Sequence, residues 1–276
     1  MTLRIGVTAN NKELPAALAA FPGSASCRVF GGPGKGIPSW TSAPMSTLRK
    51  AGVLAWPSFK DWATDPETVT KINTWLDTLP DDVPETWLTY HHEPEGDFAS
   101  KEYRRRWVIL AKTVRAHRNA SRVKLVPIHL WWPSRYKMWD RYHTDWTQWI
   151  GIWQQWAPTR SDGSYLGDYM GWDCYLPVNS TVYEPPEVFF RTPIGAAHTM
   201  GVPLVIPELG AINGPGDAAG TRRAQWIADC IAYLRQQNVL AVNWWQATGT
   251  AGHDYRLDPA GSRVWKDATA QSASTR

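Results

Sequence analysis

Eight short apolar runs, separated by stretches of helical periodicity, constrain this chain more than any other feature. They fall at residues 4–8, 27–30, 53–56, 86–91, 124–130, 169–175, 204–207 and 240–244. Most are rich in Val, Ile, Leu or aromatics and lack strict polar alternation, which is the pattern of strands buried on both faces. Runs of this kind alternating with helices predict βαβ units around a parallel sheet. One TIM barrel needs about 250 residues. The chain has 276, with no break in composition that would divide it. The expected fold class is therefore α/β, a single (β/α)8 TIM barrel over residues 1–266. The tail DATAQSASTR, residues 267–276, is small and polar and is expected to be disordered or the stub of a linker.

The intervening helices can be placed from their caps and faces. Thr64-Asp65-Pro66-Glu67 combines a capping box with an early proline. Val69, Ile72, Leu76 and Leu79 then form one apolar stripe, as do Tyr103, Trp107, Leu110 and Val114. Trp226, Ile227, Cys230, Ile231 and Leu234 mark the helix before the last run. Gly52 and Gly201 stand just before runs, where helix C-caps belong.

Composition excludes several functions. The net charge of +4 is spread along the chain, and Arg104-Arg105-Arg106 lies in a helical pattern as a solvated face. No basic stripe interleaves with a recognition motif, so nucleic acid is not an expected partner. Cys27, Cys174 and Cys230 are an odd number with no C-x-x-C pair, which argues against a disulfide framework or a zinc site. No stretch approaches about 20 apolar residues, so no membrane span is expected. The opening MTLRIGVTANN has no signal-peptide pattern. That fits a cytoplasmic protein, or a module of a larger extracellular or virion-associated one. Gly31-Gly32-Pro33-Gly34-Lys35-Gly36 lacks the Ser or Thr that a phosphate loop needs after its lysine and reads as a flexible loop. The unusual number is 18 tryptophans. A flat apolar ring with one N–H donor suits the C–H face of a sugar, and equally suits a Trp-rich core.

A TIM barrel places its chemistry at the C-terminal ends of its strands. Two glutamates stand there. The fourth run ends in Tyr90-His91-His92-Glu93-Pro94-Glu95, and the seventh continues as Pro207-Glu208-Leu209-Gly210. A carboxylate directly after an apolar run is costly unless paired or used. Glycoside hydrolysis needs two such groups: one protonated to help the leaving oxygen depart, the other ionised to attack the anomeric carbon, about 5–5.5 Å apart in retaining enzymes. Strands four and seven face each other across a barrel mouth, so their side chains can converge there.

These strand ends resemble those of clan A glycoside hydrolases, in which the acid/base glutamate ends strand four and the nucleophile ends strand seven. The nearest family is glycoside hydrolase family 26, the mannanases, where a histidine precedes the acid/base as His92 precedes Glu93-Pro94 here. Glu208-Leu209-Gly210 matches the strand-seven motif. The resemblance implies Glu93 as acid/base and Glu208 as nucleophile. It also implies that Arg28 clamps the nucleophile and Tyr175 hydrogen-bonds it, with Trp244 or Trp245 flooring the sugar subsite. It departs from family 26 at Glu95, often Asn there, and at Pro207. The implied activity is that of a retaining hydrolase of β-mannan, a related β-glycan or a bacterial cell-wall glycan, monomeric, with no metal and no cofactor. A non-catalytic carbohydrate-binding barrel in a cell-surface or phage tail assembly is the alternative from another class, and a metal-dependent hydrolase a third.

Further substrate contacts are expected from His92, His129, Trp56, Trp131, Trp132 and Asp173, all at or near ends of runs. Trp172, Tyr136 and Trp139 are weaker platform candidates. Trp146, Trp149, Trp153 and Trp156 keep helical spacing and read as packing residues. His91 reads as structural, and Glu95 and Asp97 as exposed loop residues. A zinc site from His91, His92 and His129 is disfavoured, because adjacent residues on a strand point apart.

Overall fold

The computed structural model describes residues 2–32, 34–95, 99–131, 150–178, 180–249 and 252–273. Its strands are β1 (Arg4–Thr8), β2 (Ser26–Phe30), β3 (Leu54–Phe59), β4 (Thr86–Tyr90) and β5 (Val123–Leu125). They continue as β6 (Ile128–Leu130), β7 (Met170–Tyr175), β8 (Leu204–Gly210) and β9 (Ala241–Trp245). The helices between and after them are α1 (Leu14–Ala20), α2 (Ala43–Lys50), α3 (Asp65–Asp77), α4 (Ser100–Ala116) and α5 (Ile150–Trp156). The rest are α6 (Pro186–Phe189), α7 (Arg191–Met200), α8 (Thr221–Gln236) and α9 (Pro259–Ala273).

The strands form one parallel ladder in the order β5-β4-β3-β2-β1-β9-β8-β7-β6. Its two ends, β5 and β6, are consecutive in the chain and separated only by Val126 and Pro127. They are the two halves of the fifth run. Pro127 has no N–H to give a ladder, and the run divides beside it. Val126 N still donates to Leu88 O at 3.0 Å, and Pro127 O accepts from Gly171 N at 2.8 Å. The broken strand thus joins β4 to β7, and the sheet curls into an eight-fold (β/α) barrel whose fifth staves are β5 and β6. Barrel strand seven is β8.

Two apolar layers follow from the period of two along each strand. Trp56, Trp87, Ile128, Val205 and Ala241 form one cluster although they come from strands far apart in the ladder. Such residues can meet only inside the barrel, and most stand early in their strands, at its amino end. The larger layer lies between sheet and helices and includes Ile206, Leu209, Trp107, Trp153, Trp172, Trp244 and Trp265. Most described tryptophans are therefore core, which answers the compositional ambiguity. The capping box of α3 is present, with Thr64 and Glu67 satisfying each other's backbone. Gly201 closes α7 in the left-handed region at φ 65°, as its position predicts.

The tail departs from expectation. Residues 267–273, expected to be disordered, are the end of α9. Ala268, Thr269 and Ser272 are buried, and Ser272 Oγ accepts from Ile5 N at 3.2 Å. Small residues read as a linker are here the small face that lets a helix lie close against β1.

Candidate active site

Glu208 owes its direction to a bulge. Against β7, Gly171 pairs with Val205 but Asp173 with Glu208; against β9, the register slips between Ile206 and Leu209. One extra residue on β8 therefore shifts its phase. Ile206 and Leu209 both join the outer layer although an odd number of positions separates them, and Val205 and Glu208 face inward. Pro207 sits at the slip, where its missing N–H costs no ladder bond, and its carbonyl accepts from Thr8 Oγ1 at 2.8 Å. The proline that looked out of place in the sequence belongs to the device that aims Glu208.

Arg28, from β2, is fully buried and organises the site. Its Nη1 donates to Glu208 Oε1 at 2.7 Å and to Asp173 Oδ2 at 2.9 Å. Its Nη2 donates to Ser58 Oγ at 3.3 Å, and Ser58 Oγ lies 3.0 Å from His92 Nδ1. The hydroxyl of Tyr175 donates to the other oxygen of Glu208. Burial opposes the charge on Arg28, but Asp173 and Glu208 raise its affinity for the proton. Burial raises Asp173 well above the usual carboxylate range, and the charge of Glu208 adds to this. Burial also lifts Glu208, while the Arg28 charge and the Tyr175 hydrogen bond pull against it.

Glu93 lies past the end of β4, at a half-buried position in the mouth. Its backbone is left-handed, φ 54°, and so is that of His91, φ 43°. Non-glycine residues seldom adopt this conformation, and those that do are held by their surroundings. Here His91 N donates to Phe59 O at 2.7 Å and Glu93 N to Ile128 O at 3.0 Å. Burial and the nearby Glu208 carboxylate push Glu93 up to about 7. Burial, with the charges of Arg28 and Lys60, keeps His92 well below its ordinary value, so it is a neutral imidazole.

Several expected contacts lie elsewhere. Trp56 is fully buried, its ring 4.9 Å from Trp87 and its Nε1 on Thr89 Oγ1, because its strand runs on to Phe59 through Pro57. Trp131 is buried against Phe189, with Nε1 on the Phe189 carbonyl. Trp172 and Trp244 face the helices; Trp244 packs on Trp265. Asp173 is fully buried and bound to Arg28, so it supports the site from beneath and offers no surface to a sugar. His129 is fully buried, packed against Trp153 and Trp172. Glu95, expected to be exposed, is buried and pairs with His129. Trp132, Tyr136, Trp139, Trp146, Trp149 and Asp97 lie outside the described residues. Trp245 does reach the mouth, half-buried, with Phe30 between it and His92 at 6.0 and 5.6 Å.

Ser58 and Lys60 were not among the expected site residues. Ending the third run before Pro57 hid them, and the signal was the apolar Phe59 beyond it. Among the described residues no group of three His, Cys, Asp or Glu could hold a metal ion, and no helix is long and apolar enough to cross a membrane.

No protein-family model matches the sequence, and no curated protein sequence matches it. Solved structures do. The chain is similar to an endo-β-1,4-glucanase from Xanthomonas axonopodis pv. citri, at 10% identity over 98% of this chain and 99% of that one, TM-score 0.62. It is also similar to a family 128 endo-β-1,3-glucanase from Amycolatopsis mediterranei in complex with laminaritriose, at 13% identity over 96% and 99%, TM-score 0.56. A family 128 oligosaccharide-binding protein from Trichoderma gamsii matches at 12% identity over 98% and 94%, TM-score 0.56. At these identities the likeness shows a shared fold, the TIM barrel.

Proposed function

We propose that this protein is a retaining glycoside hydrolase acting on a β-linked glycan, with Glu93 as acid/base and Glu208 as nucleophile. The observation that carries this is the unequal setting of two carboxyl groups in one barrel mouth. Glu208 is fixed by Arg28 and Tyr175 through both its oxygens. Glu93 keeps its proton up to about 7. Carboxyl groups whose surroundings separate them in this way suit the acid and nucleophile roles.

In the first step Glu93 gives its proton to the glycosidic oxygen as that bond breaks, and Glu208 bonds to the anomeric carbon. In the second, water attacks that carbon, Glu93 takes the water's proton, and Glu208 departs as carboxylate. Arg28 balances the charge of Glu208 whenever it is free. Trp245 and His92, at the mouth, are the contacts offered to the sugar. The reaction as written consumes only water, and one chain supplies every group in it.

The two similar glucanases favour a β-glucan over the β-mannan that the family 26 resemblance suggests. A second reading, binding without cleavage, is favoured by the oligosaccharide-binding protein of the same fold. Reducing-sugar release from β-1,3-glucan, β-1,4-glucan, mannan and bacterial wall polysaccharides separates the two. Cleavage that yields the β-anomer first, followed by proton NMR, supports the retaining route. First appearance of the α-anomer refutes it, and retention of a polysaccharide without cleavage supports the binding reading.

A further inference from the structure

The barrel is closed between β4 and β6 without a strand pair. The register pairs of β4 and β5 end at Leu88 and Leu125, and β6 is paired with β7. The other edge of β6 meets a series of substitutes. Thr89 Oγ1 donates to Val126 O at 2.8 Å, just below it. Glu93 N donates to Ile128 O at 3.0 Å. Glu95 Oε2 accepts from Leu130 N at 3.0 Å, where a neighbouring strand would present a peptide carbonyl. The remaining oxygen of Glu95 lies 2.8 Å from His129 Nδ1. Both side chains are buried, at 2% and 0% exposure.

A carboxylate in place of a peptide carbonyl does two things. It completes the ladder, and it puts a charge beside the seam. The segment it anchors contains two left-handed residues, His91 and Glu93, so the segment cannot itself be a strand. Two attachments to β6, one at Glu93 and one at Glu95, hold it in that shape.

We propose that Glu95 and His129 are positioning residues for Glu93, clamping the segment that carries it onto the unpaired edge of β6. This rests on the reading of Glu93 as acid/base. Neither residue needs to touch the sugar. The charged groups that bear on Glu93 are Glu208 from β8, Arg28 from β2, Lys60 beyond β3 and Glu95 itself. Glu208 and Glu95 favour its protonated form, and Arg28 and Lys60 oppose it. Glu95 in turn faces His129 of β6, Tyr103 of α4 and Tyr165 before β7.

The test titrates Glu93 directly, by NMR of carbon-13-labelled glutamate carboxyls in the full chain, with β-glucan hydrolysis measured in parallel. Glu95→Gln removes the charge but keeps an oxygen for Leu130, whereas Glu95→Leu removes the hold as well. Both variants lose the charge, so Glu93 is expected to titrate at lower pH than in the wild type in each. In E95L, where the segment is also released, a further fall is expected, with kcat about tenfold or more below that of E95Q. A folded E95L protein in which Glu93 titrates as it does in E95Q overturns the proposal. If E95L shifts Glu93 beyond E95Q but none of the proteins cleaves any glycan, the clamp stands and the hydrolase reading falls. Should E95L not fold, His129→Leu is the second arm. Its kcat is expected to drop about tenfold or more with KM unchanged, since small misplacements of a reacting group are costly. His129→Gln, which keeps a donor, is expected to restore it. A wild-type kcat in H129L overturns the clamp.

Discussion

The two ends of the barrel interior are built from the same strands and have opposite chemistry. At the amino end β3 contributes Trp56 and β8 Val205, packed with Trp87 and Ile128. A few positions further along, β3 contributes Ser58 and β8 Glu208, bound to Arg28. The apolar end needs only volume and shape. The polar end needs every charge answered, and it lies over an apolar floor. That floor is why its charges act strongly on one another: with little solvent to screen them, burial raises Glu93, Glu208 and Asp173 alike, and the guanidinium of Arg28 pulls against all three.

The largest effect should come from the polar end. Glu208→Ala is expected to lower kcat by about 10,000-fold or more, as loss of a nucleophile does elsewhere, while circular dichroism and gel filtration stay those of the wild type. An active E208A protein breaks the contrast between the ends. Trp56→Ala is the matching test below. It should cost about 3–5 kcal/mol in denaturant unfolding and leave KM unchanged. A raised KM without loss of stability would return Trp56 to the sugar.

The pH dependence sharpens the difference further. Activity needs Glu93 protonated, so kcat/KM should fall on the basic side with a midpoint near about 7. Glu93→Gln should abolish that limb and reduce kcat by about 100- to 10,000-fold. The smallest effect is on stability. An unfolded glutamate releases its proton near about 4.3, whereas folded Glu93 holds it up to about 7. Between these values the folded state binds more protons, so stability declines as pH rises and the loss is complete above the window. Glu93→Gln should therefore raise Tm at pH 8, by about 2–4 °C for each kcal/mol recovered, and leave it unchanged at pH 4. A Tm gain at pH 4 equal to that at pH 8 would remove the electrostatic explanation.

The seven other runs were legible because a strand buried on both faces lacks the regular polar alternation that a solvated face would impose. The fifth was legible as one run, but its division at Pro127 matters only once β4 and β7 are seen on either side of it. Glu93 and Glu208 could be named from their strand ends, and Arg28 and Tyr175 through the family resemblance alone. Trp56, Trp131 and Trp244 could not be assigned, since an aromatic at a strand end faces sugar or core according to the strand's phase and true length. Glu95 looked like a loop acid because its partner, His129, lies 34 positions away along the chain.

Periodicity and spacing along the chain were sufficient for the barrel, for α3, α4 and α8 and for the places where two glutamates emerge, because these depend on which residues shun water and how far apart they recur. The direction of Glu208 was not contained there. It depends on a one-residue slip at Pro207 against two neighbouring strands. The same holds for the sharing of Arg28 between Asp173 and Glu208, and for the Glu95 carboxylate standing in for a strand. Each is a contact between distant segments, and its energy exists only after the sheet has closed.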